Sequence, residues 1–104
     1  MRRLPIILVL GAIAGAALGA SPEVRQAGRK FAPDRLTVAR RTTVRFVNDE
    51  KIVHHAFVNS SDFSADTGDI EPGKTKEIAF DRAGSFDVRC AIHPQMRLRV
   101  DVRE

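Results

Sequence analysis

From about residue 30 onward the chain alternates between apolar and polar positions. In TTVRFVN, Val44 and Phe46 fall on one side and Thr43 and Arg45 on the other, and KTKEIAF puts Ile78 and Phe80 on one face. SFDVRC aligns Phe86, Val88 and Cys90 against Asp87 and Arg89. MRLRVDVRE is the cleanest run, with Met96, Leu98, Val100 and Val102 opposed to Arg97, Arg99, Asp101 and Arg103. FAPDRLTV, with Leu36 and Val38, and HHAFVN add two shorter segments. A period of two is that of an antiparallel strand with one face buried and one in water. Turn-forming clusters separate the runs: Asn48-Asp49-Glu50-Lys51, the Asp/Ser/Gly-rich stretch between Asn59 and Gly73, and Ala83-Gly84. No stretch after residue 21 keeps a helical period for three turns. About seven short strands of this kind predict an all-β sandwich, because two half-apolar sheets must each cover a face. Residues 21–29, SPEVRQAGR, show no useful period and are expected to be a lead-in segment.

The first twenty residues belong to a different class. Arg2 and Arg3 precede an uncharged apolar stretch from Leu4 to Ala14, and small residues close at Leu18-Gly19-Ala20. That layout is a secretory signal over residues 1–20, cleaved after Gly19 or Ala20. The uncharged run from Leu4 to Pro22 is long enough to span a bilayer as an anchor. Its Gly/Ala-rich second half favours the cleaved signal, hence a periplasmic or secreted protein with no stable membrane insertion after cleavage. What remains is one small domain, residues 30–104, with room for a modest core. The formal charge of +4 falls to +2 once Arg2 and Arg3 leave. The remaining charges are interspersed and Phe is the sole aromatic type, which excludes a nucleic-acid surface.

Export raises the interest of the single cysteine, which can form no internal disulfide. It opens the segment CAIHPQM, residues 90–96. Cys90 shares the inward face of the preceding strand, and Met96 that of the following one. The five residues between them must turn back at one pole of the sandwich, with His93 at the apex stiffened by Pro94. With three His and two Met in 104 residues, His at +3 and Met at +6 from the cysteine arise by chance roughly once in two thousand. Thiolate and thioether are soft ligands and imidazole is borderline; with a second imidazole the set favours copper. Zinc rarely takes Met, and a nucleophilic Cys90 would require a base, an oxyanion hole and a cleft that a small capped sandwich does not offer. The second imidazole is His54 or His55; neighbours in a strand point to opposite faces, so one of them reaches the pole.

These segments together resemble the cupredoxins, the small blue copper proteins, and most of all the amicyanin and plastocyanin branch. FAPDRLTV resembles the F-x-P-x-x-L-x-V opening of that family, and VRFVNDEKIVHHAF is similar to its V-x-F-x-N followed by His-Asn-Val. AGSFDVRCAIHPQM is similar to A-G-x-Y-x-Y-x-C-x-x-H-P-x-M, with the short His-to-Met spacing of amicyanins. The resemblance runs from about Phe31 to Val102 and implies a small Greek-key β-sandwich binding one copper ion. By position it makes His54, six residues after Asn48, the first imidazole ligand, Cys90 the thiolate, His93 the second imidazole and Met96 the weak axial ligand. His55 stands where the family has an Asn that ties the ligand-bearing segments together; Asn48 and Pro94 join it as supporting residues. Phe86 replaces a usual Tyr, Leu98 a common Gly, and Arg41 the Gly that usually precedes the second strand. The implied function is a one-electron carrier and not an enzyme, with copper delivery or storage on the same fold as the alternative. Transient redox protein partners would dock on a monomer near His93, amid Ala91, Ile92 and Pro94. Arg97 and Arg99 at that end would steer an acidic partner.

Overall fold

A computed structural model describes residues 21–104; the expected signal over residues 1–20 lies outside the described residues. Nine strands form: β1 (Glu23–Ala27), β2 (Lys30–Ala32), β3 (Arg35–Ala39), β4 (Thr42–Asn48), β5 (His54–Asn59), β6 (Ser64–Ile70), β7 (Thr75–Phe80), β8 (Gly84–Arg89) and β9 (Arg97–Arg103). They build two sheets, ordered β2-β1-β4-β7 and β3-β9-β8-β5-β6. The all-β sandwich expected from the alternation is the fold that forms. The sheets are mixed and not purely antiparallel, because β1 pairs parallel with β4 and β3 pairs parallel with β9.

The inward positions read from the period of two are the core. Val44, Phe46, Ile78 and Phe80 of one sheet face Phe86, Val88, Leu98, Val100 and Val102 of the other, all buried. Each such side chain removed from water contributes about 1.5–3 kcal/mol, an upper estimate set by an extended unfolded chain. Phe63, Phe80 and Phe86 close one pole, with the Phe63 centroid 5.6 Å from Phe80 and 5.2 Å from Phe86.

Two segments differ from expectation. Residues 21–29 are not a lead-in: β1 lies inside its sheet, with Val24 and Gln26 both wholly buried. Its inward pair joins one apolar and one polar residue, so no hydrophobic alternation marks it. The Asp/Ser/Gly-rich stretch after Asn59 contains β6, an edge strand whose one fully buried residue is Ile70. These two strands raise the count above seven. The β1–β2 connection is a two-residue hairpin turn, Gly28-Arg29, with Ala27 paired to Lys30. Both turn residues have positive φ, 60° and 53°, as the tightest hairpin turn requires.

The pole opposite the three phenylalanines gathers the ends of β4, β6 and β8, the starts of β5, β7 and β9, and the β1–β2 turn. Register places them together: Gln26 pairs with Asn48, Val47 with Thr75, and His54 with Ile70.

Candidate metal centre

The alternation that sends Phe86 and Val88 into the core also sends Cys90 inward as β8 ends, and its side chain is buried. The chain then turns through residues 91–95 and re-enters the core at Met96, whose N–H donates to the His93 carbonyl at 2.9 Å. The Arg89 guanidinium donates to the Pro94 carbonyl at 3.2 Å, fastening the outside of the turn. Across the pole, His54 opens β5 and is wholly buried.

Three atoms able to bind a metal converge there. Cys90 Sγ lies 4.0 Å from His54 Nδ1 and 3.9 Å from His93 Nδ1, and all three atoms fall within 4.8 Å of one another. The imidazole centroids are 5.0 Å apart with the rings inclined at 61°. A metal about 2.0–2.1 Å from an imidazole nitrogen and about 2.3 Å from a thiolate, at a trigonal angle, sets N and S about 3.7 Å apart. The separations found exceed that by a few tenths of an ångström, so this donor set fits a trigonal metal with small adjustment. Met96 is buried at the end of the same turn, where it adds a thioether to the set's soft character.

His55 faces the other way, as alternation demands. Its Nε2 lies 2.5 Å from Asp66 Oδ1 and its Nδ1 3.6 Å from Asp69 Oδ1. It therefore ties β5 to β6, and the link between ligand-bearing segments that the resemblance places at this position is not made by its ring. Asn48 is the buried organiser of the neighbouring loop. Its Nδ2 donates to the carbonyls of Ile52 and Ile70, each at 2.8 Å, and its Oδ1 accepts from the Glu50 N–H at 3.0 Å. Ile70 is the register partner of His54, so Asn48 binds the β4–β5 loop to the strand that flanks His54. Pro94 is exposed beside His93, which is half-buried; Ala91 and Ile92 are exposed on its other side. Ile92, 45% exposed, is the large hydrophobic residue left in water among the described residues.

Two polar residues of the pole had no signal in the sequence. Glu50 Oε1 lies 2.5 Å from His54 Nε2, the ring nitrogen turned away from Cys90. Gln26 reaches across from the first sheet and donates from Nε2 to the His55 carbonyl at 3.3 Å. The β5–β6 register shifts between His55 and Phe57, so Gln26 meets β5 where its ladder is interrupted. A Glu four residues before a His means little outside a helix, and a lone Gln between Arg and Ala means less. Only the folded loop gives either one a partner.

No protein-family model matches the chain. Among curated proteins, the methylamine utilization protein MauL of Methylorubrum extorquens is 38% identical over 60 residues. That match spans 57% of this chain and about half, 53%, of MauL. Among solved structures, the reduced Cu(I) form of an amicyanin variant aligns with a TM-score of 0.74 at 24% identity, over 84% of this chain and 89% of that one. A copper-containing nitrite reductase from Thermus scotoductus aligns with a TM-score of 0.75 at 27% identity, over 82% of this chain and 23% of the reductase.

Proposed function

We propose that this chain, whose fold is the cupredoxin fold, holds one copper ion between His54, Cys90, His93 and Met96 and carries single electrons between redox proteins in the periplasm or outside the cell. The observation that carries the reading is the convergence of one thiolate sulfur and two imidazole nitrogens within 4.8 Å at a buried pole. Copper in such a set supplies one-electron chemistry, because thiolate, imidazole and thioether suit both of its common oxidation states. The fold places the donors: His54 opens β5, Cys90 directly follows β8 and Met96 directly precedes β9, all three buried. A metal held by four protein donors keeps no position open for a substrate, which favours a carrier over an enzyme. The half-buried edge of His93 is the route for the electron, and the exposed Ala91, Ile92 and Pro94 around it form a small apolar contact for a transient partner. Arg97 beside them is exposed and joins no ion pair among the described residues. It would steer an acidic partner.

The test is a Cu(II) titration of the purified protein, followed by visible absorption and electron paramagnetic resonance, with Cys90→Ser alongside. An intense charge-transfer band and narrow copper hyperfine splitting, both lost in the variant, are expected. A weak, ordinary Cu(II) spectrum indifferent to Cys90 would refute the carrier reading and leave copper handling or an unmetallated sandwich.

A further inference from the structure

We propose that Glu50 fixes His54 in its metal-binding tautomer before any metal arrives, acting as a positioning residue anchored on the β1–β2 turn. The inference rests on the copper reading above and assigns a role to a residue outside its ligand set.

The hydrogen-bond directions decide it. Glu50 Oε2 accepts from the Gly28 N–H at 2.8 Å, and Oε1 accepts from the Arg29 N–H at 3.2 Å. Oε1 also lies 2.5 Å from His54 Nε2. An ionised carboxylate can only accept. The proton of a neutral His54 ring therefore sits on Nε2, and the lone pair sits on Nδ1, the atom that faces Cys90 Sγ at 4.0 Å. In the opposite tautomer a lone pair would face the carboxylate at that short distance, while an N–H would occupy the direction a metal must take.

Glu50 stays ionised for reasons visible in its surroundings. Two backbone N–H groups, those of Gly28 and Arg29, point at its oxygens, an arrangement that favours the charged carboxylate. The carboxylate is also held in place from its far side. Gly28 and Arg29 are successive residues of one hairpin turn, both with positive φ, and both their N–H groups converge on it. The turn belongs to one sheet and His54 to the other, so a single carboxylate sets the ligand's orientation from across the sandwich. A metal-bound imidazole characteristically donates its second N–H to such a partner, which orients the ring and raises its basicity.

The test uses metal-free protein labelled with 15N, read by long-range proton–nitrogen correlation of the histidine rings, then Cu(II) and Cu(I) affinities by competition and the reduction potential. Three chains are compared: the parent, Glu50→Gln, and Asp49→Ala. Asp49 makes a neighbouring tie to β1, its carboxylate 3.2 Å from Arg25, without touching His54. The parent is expected to carry the His54 proton on Nε2. Glu50→Gln should populate the Nδ1–H form and weaken Cu(II) binding about 10–100-fold, in the range for lost supporting partners of metal ligands. Cu(I), less dependent on a basic imidazole, should weaken less, so the potential rises. Asp49→Ala should leave all three readouts at parent values. A parent spectrum with the proton on Nδ1 overturns the proposal even if no variant folds. So does a folded Glu50→Gln with unchanged tautomer and Cu(II) affinity within twofold of the parent. A parent in the Nε2–H form that takes up no copper would refute the copper reading while the tautomer assignment stands.

Discussion

Replacing Asn48 by Ala is the sharpest test of how the pole is held. Its side chain makes three hydrogen bonds, two given by Nδ2 and one received by Oδ1. They are not equivalent. Ile70 is wholly buried, and its carbonyl would lose its partner where water does not reach, a loss of about 1–3 kcal/mol. The Ile52 carbonyl and the Glu50 N–H lie nearer the surface, and water would replace part of each bond, leaving about 0.5 kcal/mol apiece from the low end of the net range. Taking about 2 kcal/mol for the first gives a loss near 3 kcal/mol, a large share of the roughly 5–15 kcal/mol that holds a small domain together. The assay is urea unfolding of the metal-free protein at neutral pH, with parent and variant compared at equal m-value. The same variant should release copper faster, because the loop that carries Glu50 loses its internal brace. A change in unfolding free energy below about 1 kcal/mol would refute the view that Asn48 organises this loop, and would mean that the backbone bonds from Asn48 to Gly73 and Lys74 hold it alone.

Other outcomes follow from single features. Arg41 is exposed with φ of 76°, a conformation that costs a side-chain-bearing residue about 1–2 kcal/mol. Arg41→Gly should therefore raise the unfolding free energy by about 0.5–1 kcal/mol after the entropy of the glycine is counted, visible as a melting temperature several degrees higher; a fall would show that the arginine stem packs usefully. Asp101 accepts from the Ser85 hydroxyl and sits near Arg35 and Arg99, which hold its carboxyl below the ordinary value. A carboxyl lowered on folding adds stability above its unfolded pKa and loses it as pH falls through the folded one. Urea midpoints of the metal-free protein should thus drop from neutral pH toward pH of about 3, and Ser85→Ala should make that drop shallower. An equal drop in both would remove Ser85 from the acid response.

The sequence carries the centre and the sandwich at different depths. Cys90, His93 and Met96 can be read as neighbours because one short turn joins two strands whose parity is plain, so proximity follows from chain length alone. Assigning His54 over His55 already needs the flanking Asn48 as a ruler; in the structure the one ring is buried and the other pairs with Asp66 and Asp69. Hydrophobic period fails where the inward residue is polar, as Gln26 in β1, or where a strand at the edge has little to bury, as β6. It also says nothing of partner order, so the parallel pairs β1–β4 and β3–β9 are invisible to it. Glu50 is the extreme case: its meaning depends on Gly28, Arg29 and His54, which only the closed sandwich brings together.

The place of β9 has a consequence for timing. Although it is the last strand in sequence, it lies inside its sheet, between β3 and β8, and Met96 stands at its threshold. In a chain synthesised from its N-terminus, β3 waits without its neighbour until the final strand emerges. The pole cannot close around a metal until then. Until β9 docks, His54, Cys90 and His93 stand without Met96 and the strand that follows it. The strand order thus acts as a clock, and it ties closure of the pole to completion of the chain.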